Sequence, residues 1–214
     1  MKIKKIGHCC LLITLEEMVI LTDPGVFSEG QNSLTGIDLI LITHEHRDHL
    51  HAESVKNILE NNPNAKIVCN SSVGKILSAE GVSCEILEGE STEKFKEVLI
   101  EAFDFKHSEI FEDYGQVQNT GYFIDGRLFY PGDSFNDPKR PIEVLAVGVV
   151  GPWCKTSDVI RYVLDTKPRK VIPVHDALLN SESIGIFHRP LNEFLPKNGI
   201  EFIPMKNGDE VDFV

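Results

Sequence analysis

The sequence predicts an α/β (α+β) fold in which two mixed β-sheets pack face to face with helices on their outer sides. The chain has 214 residues, of which 42% are hydrophobic and 25% charged, values typical of a folded protein with a substantial core. Several apolar runs are nearly continuous, which indicates strands buried on both faces. Three strands followed by alternating strands and helices occur in both halves, so we expect one domain over residues 1–214.

The first half begins with three short β-rich runs, and Glu16-Glu17 is the predicted hairpin turn between the second and third. Residues 37–42 are almost entirely apolar and predict a strand buried on both faces. Ser71 or Ser72 is the predicted cap of the second helix. In order, the predicted elements are strands at 3–6, 10–15 and 18–22, a loop at 24–36, a strand at 37–42, a helix at 52–60, a strand at 65–69 and a helix ending near 81.

The second half contains the strongest hairpin signal of the chain, Asp125-Gly126 between two apolar runs. The segment 98–105 has the clearest strand pattern in the β-rich region that precedes this turn. In order, the predicted elements are β structure from 83 to 105, strands at 121–124, 127–130 and 144–150, a helix at 157–164, a strand at 171–174, a short helix at 190–195, and strands at 201–203 and 210–214.

Charge and cysteine content narrow the class of protein. Lys and Arg number 21 against 33 Asp and Glu, a net charge of -12, which disfavours nucleic acid as a partner and leaves a small molecule as the expected substrate. No run approaches the ~20 apolar residues of a membrane helix. The five cysteines are odd in number and form no C-x-x-C pair, which argues against a disulfide scaffold. Cys9 and Cys10 are expected on opposite faces of a strand. We expect a reduced, cytoplasmic protein.

The segment Thr43–His49 holds three histidines and one aspartate in H-x-H-x-D-H spacing. It follows a predicted buried strand, so the alternating His44 and His46 can point the same way. Asp48 and His49, at the turn into the next helix, can reach a second ion. Imidazole and carboxylate groups are the ligands of catalytic divalent ions, and a two-metal site needs two such sets. The alternative is a polar loop whose histidines bond neighbouring backbone, but four buried ligand-type groups at one strand end have few other partners.

With this signature the sequence resembles the metallo-β-lactamase superfamily, in which H-x-H-x-D-H follows a buried strand. Further ligand positions of that family match His107, Asp133 and His175, each after an apolar β run, so the resemblance spans nearly the whole chain. It implies a four-layer αββα sandwich with metals at one sheet edge. The segments Gly7–Ile13 and Leu21–Pro24 also resemble compact members similar to L-ascorbate-6-phosphate lactonase and N-acyl-phosphatidylethanolamine phospholipase D.

The resemblance implies two divalent ions per chain, with Zn²⁺ expected from histidine-rich ligation and Mn²⁺ or Fe²⁺ as alternatives. By the family pattern, one ion would be held by His44, His46 and His107, the other by Asp48, His49 and His175, and Asp133 would bridge the two. His51 and His188 are the alternative candidates for the third histidine of the first ion, in place of His107.

Four other residues have open roles around these ligands. Asp23 either orients a ligand histidine or begins a turn before a proline, and both interpretations stay open. His8 either lies near the metals or is a buried core histidine. Glu45 alternates with its histidine neighbours, so we expect it to point away from them. His188 is expected in a late loop, from which it could line the pocket.

The expected reaction is hydrolysis. Two divalent ions that share a bridging hydroxide can attack a carbonyl carbon or a phosphorus and stabilise the developing oxyanion. We therefore expect a hydrolase of a small ester, lactone or phosphodiester, with Asp48 orienting the hydroxide and Asp133 bridging the ions as the catalytic carboxylates. The alternatives are a metal-binding module without turnover and an iron-dependent oxidoreductase of the same fold. The resemblance disfavours the oxidoreductase, because that branch usually has Glu at the position of His46.

Overall fold

Fourteen strands and four helices make up the computed structural model, which describes residues 1–180 and 182–214. Two 3₁₀ turns lie at Gln31–Ser33 and Pro196–Asn198. The strands are β1 (Lys2–Lys5), β2 (Leu11–Thr14), β3 (Val19–Thr22), β4 (Leu39–Ile42), β5 (Lys66–Cys69), β6 (Glu85–Ile86), β7 (Thr92–Phe95), β8 (Val98–Lys106), β9 (Gln118–Ile124), β10 (Leu128–Tyr130), β11 (Val144–Gly148), β12 (Lys170–Val174), β13 (Glu201–Phe202) and β14 (Glu210–Asp212). The helices are α1 (Ala52–Asn61), α2 (Ser71–Ala79), α3 (Thr156–Thr166) and α4 (Ile184–Phe194).

The strands form two mixed sheets with the same internal pattern. The first sheet has the order β14-β1-β2-β3-β4-β5-β6, and the second has the order β13-β12-β11-β10-β9-β8-β7. In each sheet an antiparallel meander, β1 to β3 or β7 to β10, continues into parallel strands. Three strands precede the alternating strands and helices in the first half, as expected, whereas four precede them in the second half. β14 returns to pair with β1 in the first sheet.

Three hydrophobic clusters define four layers. The central cluster lies between the sheets and includes residues of both, such as Leu41 and Tyr122. One outer cluster packs the first sheet against α1 and α2 through residues such as Ile58 and Leu77. The other packs the second sheet against α3 and α4 through residues such as Val163. The αββα sandwich is thus confirmed, since each sheet buries one face on the other sheet and one face under helices.

The two adjacent cysteines illustrate this layering. Cys9 belongs to the central cluster and Cys10 to the outer cluster under α1 and α2. The two side chains therefore point to opposite sides of the first sheet, as expected, but neither residue lies in a strand, because β2 begins at Leu11.

Two expectations about where helices begin are wrong. The cap of α2 is Asn70, whose Oδ1 accepts a hydrogen bond of 3.0 Å from the backbone N–H of Val73, and not Ser71 or Ser72, which are the first two residues of the helix. The last helix was expected to begin at Pro190, but α4 begins at Ile184 and includes this proline. A proline fits the first turn of a helix best, which is why the pattern placed the helix start too late.

The positions of the strand ends decide where function can lie. β4 and β5 are parallel neighbours, and so are β11 and β12. Carboxyl ends of parallel strands share an edge of their sheet, and the loops that follow them meet there. Among the described residues, no helix has the length and apolarity needed to cross a membrane.

Candidate metal centre

Four strands deliver the candidate ligands to one edge of the sandwich. The motif segment follows β4, and His107 follows β8 directly. Asp133 comes three residues after the end of β10, and His175 follows β12 directly. These residues are far apart in sequence, and the structure brings all seven predicted ligands together. Their assignment as ligands remains a prediction.

The first group consists of His44, His46 and His107, whose potential ligand atoms all lie within 4.8 Å of one another. His44 Nε2 is 3.2 Å from His46 Nδ1. Two imidazole nitrogens bound to one tetrahedral zinc ion at about 2.0–2.1 Å are about 3.3 Å apart. The spacing therefore fits a shared cation.

Hydrogen bonds fix which nitrogen of the His44 and His107 rings faces the centre. His107 Nδ1 donates to the carbonyl oxygen of Ser108 at 2.6 Å. Thr43 Oγ1 donates to Asp23 Oδ2 at 2.7 Å and lies 3.0 Å from His44 Nδ1, so it accepts the proton of that nitrogen. Both rings consequently direct an Nε2 lone pair toward the centre, the tautomer that a metal ligand needs.

The second group consists of Asp48, His49 and His175. His175 Nε2 is 3.2 Å from Asp48 Oδ2, and His49 Nε2 is 4.0 Å from the same oxygen. His49 Nδ1 donates to Asp23 Oδ2 at 2.7 Å, and His175 Nδ1 donates to the carbonyl oxygen of Val150. His175 has φ 62°, a conformation that residues other than glycine rarely adopt and that is typical of functional sites.

Asp133 lies between the two groups. Its Oδ1 is 3.2 Å from His49 Nε2, and its Oδ2 is 3.1 Å from His175 Nε2 and 3.4 Å from His107 Nε2. The same Oδ2 is 4.0 Å from His44 Nε2. One carboxylate thus faces nitrogens of both groups, which is the position required of a bridging ligand.

The backbone before Asp133 is held in a tight turn. Asn119 Nδ2 donates to the carbonyl of Pro131 at 2.8 Å, and Asn119 Oδ1 accepts from the Asp133 N–H at 3.0 Å. Gly132 has φ 63°, and a Cβ there would lie 2.3 Å from Asn119 Oδ1 and 2.9 Å from Thr43 Cβ. Only glycine satisfies both the conformation and the space.

The buried polar atoms test whether these residues fit a metal. His49 Nε2, His175 Nε2 and Asp133 Oδ1 are buried and have no hydrogen-bond partner among the described residues. A buried nitrogen lone pair that faces a carboxylate oxygen at about 3 Å is repelled unless a positive charge, a proton or a metal ion, lies between them. The donor set, five imidazoles with two carboxylates, is suited to divalent transition metals. The residues therefore fit a metal centre.

The two groups differ in their electrostatics. Burial lowers the pKa of His44 well below its usual value, and burial also lowers that of His46. Burial likewise opposes protonation of His49 and His175, but Asp133 with the other nearby carboxylates outweighs it and raises both pKa values well above normal. Burial disfavours the charged form of Asp133 too, yet His175 and His49 hold its pKa well below the usual range.

The raised pKa values predict how metal binding depends on pH. Without metal, protonation of His49 and His175 stabilises the fold below the ordinary histidine pKa, and this contribution is lost as pH rises through the folded-state pKa. Metal must displace those protons, so affinity should increase about tenfold per pH unit for each proton released. We expect added Zn²⁺ to raise the thermal midpoint more at pH 8 than at pH 6, measured by calorimetry. An equal or smaller increase at pH 8 would contradict this assignment of protons.

Both interpretations of Asp23 agree with the structure: its carboxylate accepts from the candidate ligand His49, and its carbonyl oxygen accepts from the Gly25 N–H at 2.8 Å in a turn around Pro24. Its carboxylate is fully buried and accepts from His49 Nδ1 and from both the N–H and the hydroxyl of Thr43. It also accepts from the Tyr130 hydroxyl at 2.5 Å. Burial and the adjacent carboxylate raise the pKa of Tyr130 well above its usual value, which keeps this hydroxyl a donor.

The remaining predicted residues lie outside the ligand groups or beside them. His188 was expected in a late loop, and this is wrong: it is buried in α4, edge-on to Phe202, with its Nε2 3.4 Å from Asp176 Oδ2. His51 precedes α1, and its Nδ1 is 2.9 Å from Ser54 Oγ. Glu45 is half-buried and belongs to none of the groups of potential ligands. His8 lies next to Asp48, with Nε2 3.3 Å from Oδ2.

Sequence reasoning missed three contributors to the site. Thr43 and Asn119 fix ligand geometry, as described above, although only the adjacency of Thr43 to the motif could have indicated a role. Trp153, the single tryptophan of the chain, lies edge-on to His107 and His175, with ring centroids 5.9 and 5.6 Å away. Cys9 Sγ lies within 4.8 Å of potential ligand atoms of the second group, but burial raises the pKa of its thiol and disfavours the thiolate that binds metal.

Comparisons with known proteins assign the chain to a family. The profile of the family described as a beta-lactamase superfamily domain matches residues 2–175. Protein Rv0786c of Mycobacterium tuberculosis is 30% identical over 90% of this chain and 92% of its own length. An N-acyl-phosphatidylethanolamine-hydrolyzing phospholipase D of Caenorhabditis elegans is 24% identical over 85% of this chain and 62% of its own.

Other relatives, from archaea and bacteria, are described as metal-dependent hydrolases. Among solved structures, Igni18, a metallo hydrolase of the archaeon Ignicoccus hospitalis, superposes with a TM-score of 0.78 at 18% identity over 100% of this chain and 98% of its own. The fold, the grouped histidines and aspartates, and the family match over residues 2–175 lead to one conclusion: the chain belongs to the metallo-β-lactamase superfamily and is a metal-dependent hydrolase.

Proposed function

We propose that this hydrolase uses two divalent metal ions, preferentially zinc, to hydrolyse a small ester, lactone or phosphodiester. The observation that carries the proposal is the position of Asp133, whose carboxylate oxygens lie 3.1 to 3.4 Å from His107 of the first group and from His49 and His175 of the second. A negatively charged carboxylate between two ligand groups is best stabilised when each group holds a cation. The imidazole-rich donor set favours zinc over magnesium or calcium, which prefer oxygen ligands.

The chain's own residues would each have a distinct task. When bound, the two ions would supply a water of lowered pKa and positive charge for the developing oxyanion. Asp133 keeps the two ligand groups in one geometry, and Asp23 holds His49 in the ligating tautomer. Asp48, whose side chain is 22% exposed, and His46, which is half-buried, form the accessible side of an otherwise buried centre. Substrate would therefore approach at Asp48 and His46.

Two observations support the substrate class. The net charge of -12 disfavours long polyanions such as nucleic acids and favours a small molecule. The relative from Caenorhabditis elegans is named for cleavage of a phosphodiester bond in a phospholipid, which supports including phosphodiesters beside esters and lactones.

Metal content and turnover test the proposal together. We expect protein purified without chelator to contain close to two divalent ions per chain by elemental analysis. It should hydrolyse bis(p-nitrophenyl) phosphate or a member of a lactone panel, lose this activity to chelator, and regain it most fully with Zn²⁺. Mn²⁺ and Fe²⁺ serve as comparison metals. Absence of metal after reconstitution would exclude the hydrolase mechanism, whereas two ions without turnover on any substrate would favour a metal-binding module.

A further inference from the structure

The imidazole of His8 is fully buried beside the second ligand group, and none of the ligand assignments uses it. It lies in the turn between β1 and β2, and its ring centroid is 4.1 Å from that of His175. Its Nε2 is 3.3 Å from Asp48 Oδ2. Geometry alone would permit a ligand role, because His8, Asp48 and His175 place potential ligand atoms within 4.8 Å of one another.

The other nitrogen of the ring decides between ligand and donor. The backbone N–H of Ala177 donates to His8 Nδ1 at 3.3 Å, so Nδ1 carries the lone pair and Nε2 carries the proton. This is the reverse of His49 and His175, whose Nδ1 atoms donate and whose Nε2 atoms face the centre. As a ligand through Nε2, His8 would need a proton on Nδ1, and that proton would face the N–H of Ala177.

We propose that His8 is a positioning residue, which donates a hydrogen bond from Nε2 to Asp48 and thereby holds this carboxylate in place for the second metal ion. The inference rests on the proposed two-metal function. Outer hydrogen-bond partners of metal ligands commonly set ligand orientation. Here His8 would orient Asp48, the carboxylate at the accessible side of the centre.

The backbone of His8 strengthens this role. The N–H of His175 donates to the His8 carbonyl oxygen at 2.9 Å, so His8 holds the segment 175–177 through both its backbone and its side chain. That segment contains the left-handed conformation of His175, which the surrounding contacts must maintain. One residue thus links two ligands, Asp48 and His175, that come from different sheets.

Two substitutions separate the functions of the two ring nitrogens. His8→Asn places an oxygen near the position of Nδ1, so it can accept from Ala177, but it has no donor toward Asp48. His8→Gln places an N–H near the position of Nε2, so it can donate to Asp48, but it lacks the acceptor. We measure the affinity for the second Zn²⁺ equivalent by competition with a chromophoric chelator, with His51→Gln as a matched histidine control.

We expect His8→Asn to weaken the second Zn²⁺ equivalent by about 10- to 100-fold, the usual effect of losing an outer partner of a ligand. His8→Gln should recover most of the affinity, and His51→Gln should behave as wild type. Equal loss in the two His8 variants, as expected for a ligand, would overturn the proposal. Wild-type affinity in His8→Asn, or a greater loss in His8→Gln, would overturn it as well.

A second measurement separates this inference from the proposed function. Long-range ¹H–¹⁵N correlation spectra of the wild-type chain should show His8 protonated at Nε2 and unprotonated at Nδ1, both with Zn²⁺ and after chelator treatment. A proton on Nδ1 would overturn the donor role. If the wild-type chain bound fewer than two ions, the two-metal function would fail, while the tautomer in the chelator-treated protein would still decide whether His8 donates to Asp48.

Discussion

Asp133→Asn should lower the turnover of bis(p-nitrophenyl) phosphate by at least ~100-fold, the lower order associated with losing a key electrostatic group in an active site. The amide keeps the shape of the side chain, so the turn at Gly132 can persist. It removes the charge that faces His49 and His175 and that holds the pKa values of both rings high. The amide also replaces one acceptor oxygen with an N–H, whereas the Nε2 atoms of His49 and His175, when protonated, need an acceptor.

The effect of Asp133→Asn on turnover needs a control variant, and Glu45 in the segment Thr43–His49 provides one. Glu45→Gln makes the same carboxylate-to-amide change at a half-buried position outside the ligand groups. It should alter turnover by no more than about two- to threefold, in line with the ~0.5 kcal/mol effect of a typical surface substitution. Far-UV circular dichroism and thermal midpoints would show that both variants fold. A larger loss in Glu45→Gln than in Asp133→Asn would make Glu45 the better candidate for a general base.

Sequence patterns predicted those parts of the structure that depend on residues adjacent in the chain. Strand β4 could be predicted because a buried strand needs an unbroken apolar run, and the motif after it follows from the spacing of His44, His46, Asp48 and His49. The hairpin at Asp125 was predictable for the same reason, since its turn chemistry is local. The resemblance then indicated the remaining candidate ligands, each after a strand.

Contacts between distant segments could not be predicted in this way. The role of Asp23 depends on β3, β4 and β10 lying close enough for Thr43, His49 and Tyr130 to reach one carboxylate. The donor role of His8 depends on Ala177, which comes from the other sheet. His188 was misplaced because Pro190 suggested a helix start, whereas tertiary packing against the second sheet stabilises α4 through the proline.

His107→Ala should remove about one metal equivalent and nearly all activity. His107 comes directly after β8, and its Nδ1 is fixed by the carbonyl of Ser108, so its Nε2 is delivered to the centre at little entropic cost. The alanine would leave His44 and His46 as the only imidazoles of the first group, and two ligands hold a divalent ion much less tightly than three. Elemental analysis and calorimetric titration with Zn²⁺ would measure the loss.

The matched control is His51→Ala, because His51 lies two residues beyond the motif and was the nearest rival for the same place. Its Nδ1 contacts Ser54 at the start of α1, and its ring belongs to none of the groups of potential ligands, so this variant should keep both ions and most of its activity. Loss of one ion in His51→Ala, with full occupancy in His107→Ala, would reverse the assignment of the first group. It would also break the alignment with the family between Asp48 and Asp133, because that alignment depends on a histidine ligand at the end of β8.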